Sequence, residues 1–323
     1  MVGVLRGSGG QRRRGLHRDA VARAAASGEA ARPDPFERRD RGHHSRRVRR
    51  RAGVLRYRRL PQAAGRAAGS RQVSSEQAGN AWIVGGTRGI GQAVADELWQ
   101  RGWTVVISGR EGPQVKQVDD RRWLAGVDTR DSADVVRTHD RILERMPLDA
   151  VVNCASASAG GSIMTLTDDA WSAAIETKLL GYIRVCRTCL PGLAARGGAL
   201  VNVIGASASV ATADYAMGCL GAALVHLTRG LAQQWCPEGA RVFGVNPGPT
   251  KTERLATLIR TTAEQNQSTV EQAEAAIAGS TYRQKPLSPG SLAHLIAELL
   301  GPAGEAVNGS VLLADGGSTG GWI

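Results

Sequence analysis

Three glycines at a fixed spacing carry the most specific chemistry in the sequence: Gly85-x-x-x-Gly89-Ile90-Gly91, with Thr87 and Arg88 inside the turn. Backbone without a Cβ can approach a pyrophosphate closely, and amides at a helix N-terminus turn a positive dipole toward it. Lys178 is an amine and Tyr215 a phenol; taken alone, the tyrosine reads more simply as a buried or packing aromatic. Ser207 and Ser209 add hydroxyls in an Ala/Ser-rich stretch, where backbone capping is the simpler use for them.

The elements that must position the glycines are legible around them. Ala81-Trp82-Ile83-Val84 is a short apolar run that ends in the turn. Ile90, Val94 and Leu98 then recur at helical spacing, and Gly102 stands where a glycine terminates a helix. A second apolar run, Trp103-Thr104-Val105-Val106-Ile107, follows. Strand, glycine turn, helix and strand in about 30 residues make a parallel βαβ unit, and that framing raises the glycines above a chance triplet. The other reading of the triplet is a tight turn in an unrelated α/β domain.

Lys178 can be placed from its neighbours. Residues 168–189 read as a helix whose apolar stripe holds Trp171, Ala174, Ile175, Tyr182 and Val185, and Lys178 falls on that inward stripe. Either its stem is buried with the head in water or on a carboxylate, or the amine reaches a functional site.

The spacing of the glycines resembles the short-chain dehydrogenase/reductase family, whose pattern is Thr-Gly-x-x-x-Gly-Ile-Gly; Val84 stands in the threonine position. Further segments are similar to that family in order. Asn153-Cys154-Ala155-Ser156 resembles its Asn-Asn-Ala-Gly, and Gly126-Val127-Asp128 a third-strand end whose aspartate holds adenine. Asn246-Pro247-Gly248-Pro249-Thr250-Lys251-Thr252 resembles the segment that meets the nicotinamide, and Asp315-Gly316-Gly317 the ending of the last strand. The resemblance covers residues 81 to 318, roughly, and implies a doubly wound, mostly parallel α/β sheet of Rossmann type. It implies a dehydrogenase or reductase interconverting a carbonyl and an alcohol on a small organic substrate, and dimers or tetramers packed through the helix at Tyr215.

The cofactor implied is NADP(H). A diol-binding carboxylate is absent at Gly109, Arg110 follows it, and Arg88 lies in the turn. Two guanidiniums suit a dianionic 2′-phosphate; solvated arginines, or Arg110 paired with Glu111, are the alternatives. Gly85, Thr87, Arg88, Gly89, Ile90, Gly91, Arg110, Asp128, Asn153, Ala155, Pro247, Gly248 and Thr252 are the expected cofactor residues. The family's proton chemistry uses a tyrosine, a lysine four residues on, a serine and an asparagine. Tyr215 keeps its place, but the lysine position holds Cys219, the serine position Gly205 and the asparagine position Lys178. The expected catalytic set is therefore Tyr215, Lys178 as a spatial substitute for the lost lysine, and Ser207. A cofactor-holding scaffold or sensor without turnover is the alternative.

Composition bounds the rest. The chain has 323 residues and is formally +12, with a hydrophobic fraction of 42% that excludes collagenous and wholly disordered classes. The charge is uneven. Residues 1–75 hold 20 arginines against five acids, and residues 76–323 hold 21 basic and 24 acidic residues. The folded domain, expected over 76–323, then has no electrostatic reason to seek nucleic acid.

The Arg-rich stretch 1–75 lacks apolar periodicity and is expected to be a disordered extension. A nucleic-acid arm, a transit peptide, or an untranslated leader with the start at Val73 are its alternative readings. The longest apolar run, 216–225, is shorter than the roughly 18 residues of a spanning helix, so no membrane segment is expected. Five scattered cysteines imply a reducing, cytoplasmic compartment, and Cys186-x-x-Cys189 without a second ligand pair implies no zinc.

Overall fold

The computed structural model describes residues 78–156, 163–210 and 215–318, with the side chain of Tyr215 outside that set. The extension 1–75 also lies outside the described residues. The strands are β1 (Asn80–Val84), β2 (Thr104–Gly109), β3 (Lys116–Gln117), β4 (Arg122–Gly126), β5 (Ala150–Asn153), β6 (Ala199–Val203), β7 (Arg241–Pro247) and β8 (Val311–Ala314). They form one sheet in the order β3-β4-β2-β1-β5-β6-β7-β8. Every pairing is parallel except the short antiparallel β3–β4 edge. The doubly wound, mostly parallel sheet expected from the sequence is thus present. The β3 edge was not foreseen, because two exposed polar residues carry no strand signature.

The helices are α1 (Gly89–Gln100), α2 (Ser132–Leu143), α3 (Asp168–Ala174), α4 (Gly181–Arg196), α5 (Tyr215–Trp235), α6 (Glu253–Gln265), α7 (Val270–Gly279) and α8 (Pro289–Leu300). Alternate strand residues face opposite layers. Trp82, Val84, Val106, Val151 and Leu200 pack with Val135 and Ile142 of α2 and with Val185, Leu190 and Leu193 of α4. Ala81, Ile83, Val105, Val152 and Phe243 pack with Val94 and Leu98 of α1 and Ile296 and Leu299 of α8. Strands buried on both faces read as continuous apolar runs, which is how β1 and β2 announce themselves in the sequence. None of the described helices is long and apolar enough to cross a membrane.

The helix expected over 168–189 differs in two ways. It runs on to Arg196, with Pro191 exposed inside it, and ends at Gly197 with φ +69°. It also contains a π-helical turn, Ile175–Leu180, between α3 and α4. Gly181 follows that turn, and a Cβ there would stand 2.8 Å from Thr129 Oγ1, so only glycine lets the helix come this close to the sheet's loops. In the segment after β7, Leu255 and Ile259 of α6 are buried, whereas Leu258 and Val270 are exposed.

Between β5 and β6 the sheet contains a polar chain. Asn153 Nδ2 donates to Asn202 Oδ1 at 2.9 Å, Asn202 Nδ2 donates to Thr228 Oγ1 at 3.0 Å, and that hydroxyl donates to the Leu224 carbonyl at 2.7 Å. All three side chains are fully buried. Replacing the middle member, Asn202→Leu, leaves a buried amide donor without its acceptor. The expected loss is about 1–3 kcal/mol, read as a lower urea midpoint at unchanged m-value; an unchanged midpoint would show that the chain contributes nothing.

Candidate functional site

Ligands in open α/β sheets sit outside the carboxyl ends of the strands, where the strand order reverses. Here that place is the crevice between β1 and β5. Gly85 (φ +78°) brings the turn so close that a Cβ would lie 2.6 Å from Ala155 N. A Cβ on Gly91 would collide with the Gly85 carbonyl oxygen. The amides of Gly85 and Gly86 both donate to Ser108 O at 2.9 Å, tying the turn to the end of β2.

The helix that opens from this turn differs from its neighbours. Side chains cap α2 (Asp131), α3 (Thr167), α6 (Thr252), α7 (Thr269) and α8 (Ser288). At α1 the cap residue is Arg88, its side chain makes no cap bond, and the first turn holds no acid. The first amides of α1 thus open into a glycine-lined turn with no side-chain cap and no acid in the first turn among the described residues, and the residues fit a bound diphosphate. Opposite them, Thr252 lies 3.4 Å through its Cγ2 from where a Gly89 Cβ would be, and its hydroxyl donates to Thr250 O. Gly248, just past Pro247 at the end of β7, touches Asp315 so closely that a Cβ would stand 2.6 Å from its carbonyl oxygen. The turn, the Pro-Gly segment and the last strand therefore meet at one rim.

The remaining expected cofactor residues are distributed around that rim. Thr87 and Arg88 are exposed, Ile90 packs partly against the core, and Ala155 adjoins Gly85. Arg110 follows β2 and is close enough to Asp128 to help hold its carboxyl low, although the larger cause is hydrogen bonding from Arg130. Arg130 grips that carboxylate with Nε at 2.9 Å and Nη2 at 2.6 Å. Asn153, at the end of β5, turns its amide nitrogen to Asn202 in the next strand, its Oδ1 is buried without a hydrogen-bond partner among the described residues, and its backbone carbonyl receives the Tyr182 hydroxyl at 2.8 Å.

Lys178 is the best-defined polar group in the cleft. It is 3% exposed, so the head is enclosed and does not snorkel to water. Its Nζ donates to Val203 O at 2.8 Å and to Tyr182 Oη at 3.2 Å, at the carboxyl ends of β5 and β6. Among the described residues no carboxylate pairs with it. Burial, then the Arg254 guanidinium, lower the amine from the usual 10.5 to about 7, against a smaller opposite pull from Cys154. Burial pushes the Cys154 thiol up to about 12 and the Tyr182 phenol well above its ordinary value, so both stay neutral.

Ser207 lies half-buried in a 3₁₀ turn, Ala206–Ala208. Ser209 accepts a hydrogen bond at 3.0 Å from Nδ2 of Asn246, which is 2% exposed. Cys219, on α5, is exposed. Tyr215 opens α5, and its side chain lies outside the described residues. Sequence reasoning missed Arg254, whose Nη1 donates to Ser156 Oγ across the cleft, and it missed the Asn246–Ser209 pair. It listed Tyr182 as an apolar-stripe residue, although a tyrosine four residues after a lysine on one helix face is a recognisable contact spacing.

Comparison with known proteins agrees with this geometry. Residues 84–319 match the family described as enoyl-(acyl carrier protein) reductase. The chain is 28% identical over 253 residues to an A-factor type gamma-butyrolactone 1′-reductase of Streptomyces virginiae, covering 74% of this chain and 95% of that protein. A short chain dehydrogenase family protein from Francisella tularensis superposes with TM-score 0.69 at 21% identity, over 76% of this chain and 100% of that one. L-sorbose reductase from Gluconobacter frateurii, complexed with NADPH and L-sorbose, does so at 0.69 and 22%, over 77% and 99%. The chain belongs to the short-chain dehydrogenase/reductase family of oxidoreductases.

The buried amine makes stability depend on pH in a definite direction. The folded chain protonates Lys178 only below about 7, the unfolded chain up to the usual 10.5. Between those values the unfolded state binds the extra proton, so raising the pH stabilises the fold. Wild type should therefore gain stability relative to Lys178→Met between about pH 7 and about pH 9, the lower part of that window. Thermal melts of both proteins at the two pH values check this; parallel shifts would contradict it.

Proposed function

We propose that the protein is an NADP(H)-dependent oxidoreductase that interconverts a carbonyl and an alcohol on a small organic substrate. The observation that carries the reading is the uncapped start of α1 within the glycine turn. Gly85, Gly89 and Gly91 would hold the diphosphate, and Arg88 and Arg110 the 2′-phosphate. Pro247, Gly248 and Thr252 would lie along the nicotinamide, and Asp128 at the adenine. Several relatives of similar fold bind NADP or NADPH, which supports the choice. When bound, the cofactor exchanges a hydride with the carbonyl carbon. In this chain Tyr215 would hold the substrate oxygen and its proton, Ser207 would assist, and Lys178 would set the charge beside the phenol.

The rival reading is a nucleotide-holding scaffold without turnover. It draws on Gly205 and Cys219, which replace a serine and a lysine of the family. Oxidation of NADPH with a panel of aldehydes and ketones separates the two, since tight binding with no turnover favours the scaffold.

Fluorescence titration tests the cofactor assignment. Charge-assisted bonds of about 1.5–3 kcal/mol each imply that Arg88→Ala and Arg110→Ala weaken NADPH binding roughly 10- to 100-fold each, with NADH binding unchanged. Equal losses for both nucleotides would remove the 2′-phosphate role, and no uptake of NADPH by wild type would remove the reading itself.

A further inference from the structure

We propose that Arg254 is a nucleotide-binding residue, a guanidinium that reaches from α6 across the crevice to grip the diphosphate beside the glycine turn. This rests on the nucleotide seat of the reading above and adds to it a charged contact from outside the glycine motif.

The backbone fixes where the arginine stands. Thr250 pairs with Leu287 in an isolated parallel bridge, and the Lys251 amide donates to Leu287 O at 2.9 Å. Thr252 then caps α6, its hydroxyl accepting from the Leu255 amide at 3.4 Å. Within this first turn Leu255 is buried in the cluster shared with α7. Arg254 stands one residue earlier, about 100° around the helix, and points the other way. Its Nη1 donates to Ser156 Oγ, beyond the end of β5.

Both ends of that reach border the glycine turn. Thr252, two residues before Arg254, comes within 3.4 Å of where a Gly89 Cβ would stand. At the far end Ser156 follows Ala155, whose amide nitrogen is 2.6 Å from where a Gly85 Cβ would stand. The side chain therefore leaves α6 beside one glycine of the turn and ends beside a residue pressed against another. It is also near enough to Lys178 and Tyr182 to act on both electrostatically, so the charge faces the crevice.

The chemistry of the seat calls for such a group. The glycines and α1 offer backbone amides and a helix dipole worth about half an elementary charge. A diphosphate is a dianion, and a planar guanidinium matches two of its oxygens with parallel N–H bonds. Five donors in a fork let one N–H stay on Ser156 while others meet a phosphate. The serine thus steadies the fork at the crevice. Because NADPH and NADH share the diphosphate, this contact strengthens both, whereas Arg88 and Arg110 are assigned to the 2′-phosphate alone.

Calorimetric titration of the full chain with NADPH, NADH, ADP-ribose and 2′-AMP tests the assignment. ADP-ribose keeps the diphosphate without the nicotinamide, and 2′-AMP keeps the 2′-phosphate without the diphosphate. Arg254→Gln retains a donor for Ser156 but no charge. It should weaken NADPH, NADH and ADP-ribose by one common factor, roughly 10- to 100-fold, and leave 2′-AMP unchanged. Arg254→Lys restores the charge without the fork and should recover part of the loss. Ser156→Ala should bind all four as wild type does.

Equal affinity of wild type and Arg254→Gln for ADP-ribose overturns the proposal. A loss in Ser156→Ala as large as that in Arg254→Gln also overturns it, since a structural tie between α6 and β5 then accounts for the effect. In both cases the oxidoreductase reading stands if wild type takes up NADPH and reduces a carbonyl compound. If wild type binds ADP-ribose through Arg254 yet reduces no aldehyde or ketone, that reading fails and the diphosphate contact stands. If wild type binds none of the dinucleotides, both fall.

Discussion

Backbone pressed against backbone at the carboxyl end of β1 is the constraint on which the rest of the cleft depends. Gly85 meets Ala155 and Gly91 meets Gly85 at separations that leave no room for a Cβ. This contact closes the first turn against the end of β5, and it aims the start of α1 across the crevice. Had either glycine carried a side chain, the helix would have to withdraw, and its amides with it. The same approach lets Thr252 reach Gly89, so the glycine turn and the residue that caps α6 share a wall.

Below that rim the protein manages polarity without compensating charge. Asn153 and Asn202 of neighbouring strands and Thr228 of α5 form a neutral relay of buried hydrogen bonds. Lys178 joins the end of this layer through two oxygens. A buried cation is ordinarily matched by a carboxylate. Among the described residues no carboxylate meets Lys178, and a lowered proton affinity is the physical result.

Much of the frame was legible because its signals are local. The apolar run of β1, the glycine spacing and the Ile90–Val94–Leu98 stripe lie within about 20 residues and obey simple periods. The inward position of Lys178 was likewise readable from its place after Trp171 and Ile175. What escaped was non-local or geometrically irregular. The Arg254–Ser156 bond joins residues 98 apart, and the Asn246–Ser209 bond joins 37. Neither leaves a mark in any short window. The direction of the Asn153 amide was hidden for a similar reason: position at a strand end does not say which way an amide turns when a second asparagine lies on the neighbouring strand.

The π-helical turn at Ile175–Leu180 bears on how this segment can evolve. An α-helix advances about 100° per residue, so one extra residue in a turn resets the angular phase of everything after it. Trp171 and Ala174 face the small cluster with Leu220 of α5, while Tyr182 and Val185 face the sheet. Removing a single residue before Lys178 in this turn would rotate the amine and its phenol partner away from the strand ends together. Length in this stretch is consequently as tightly specified as residue type.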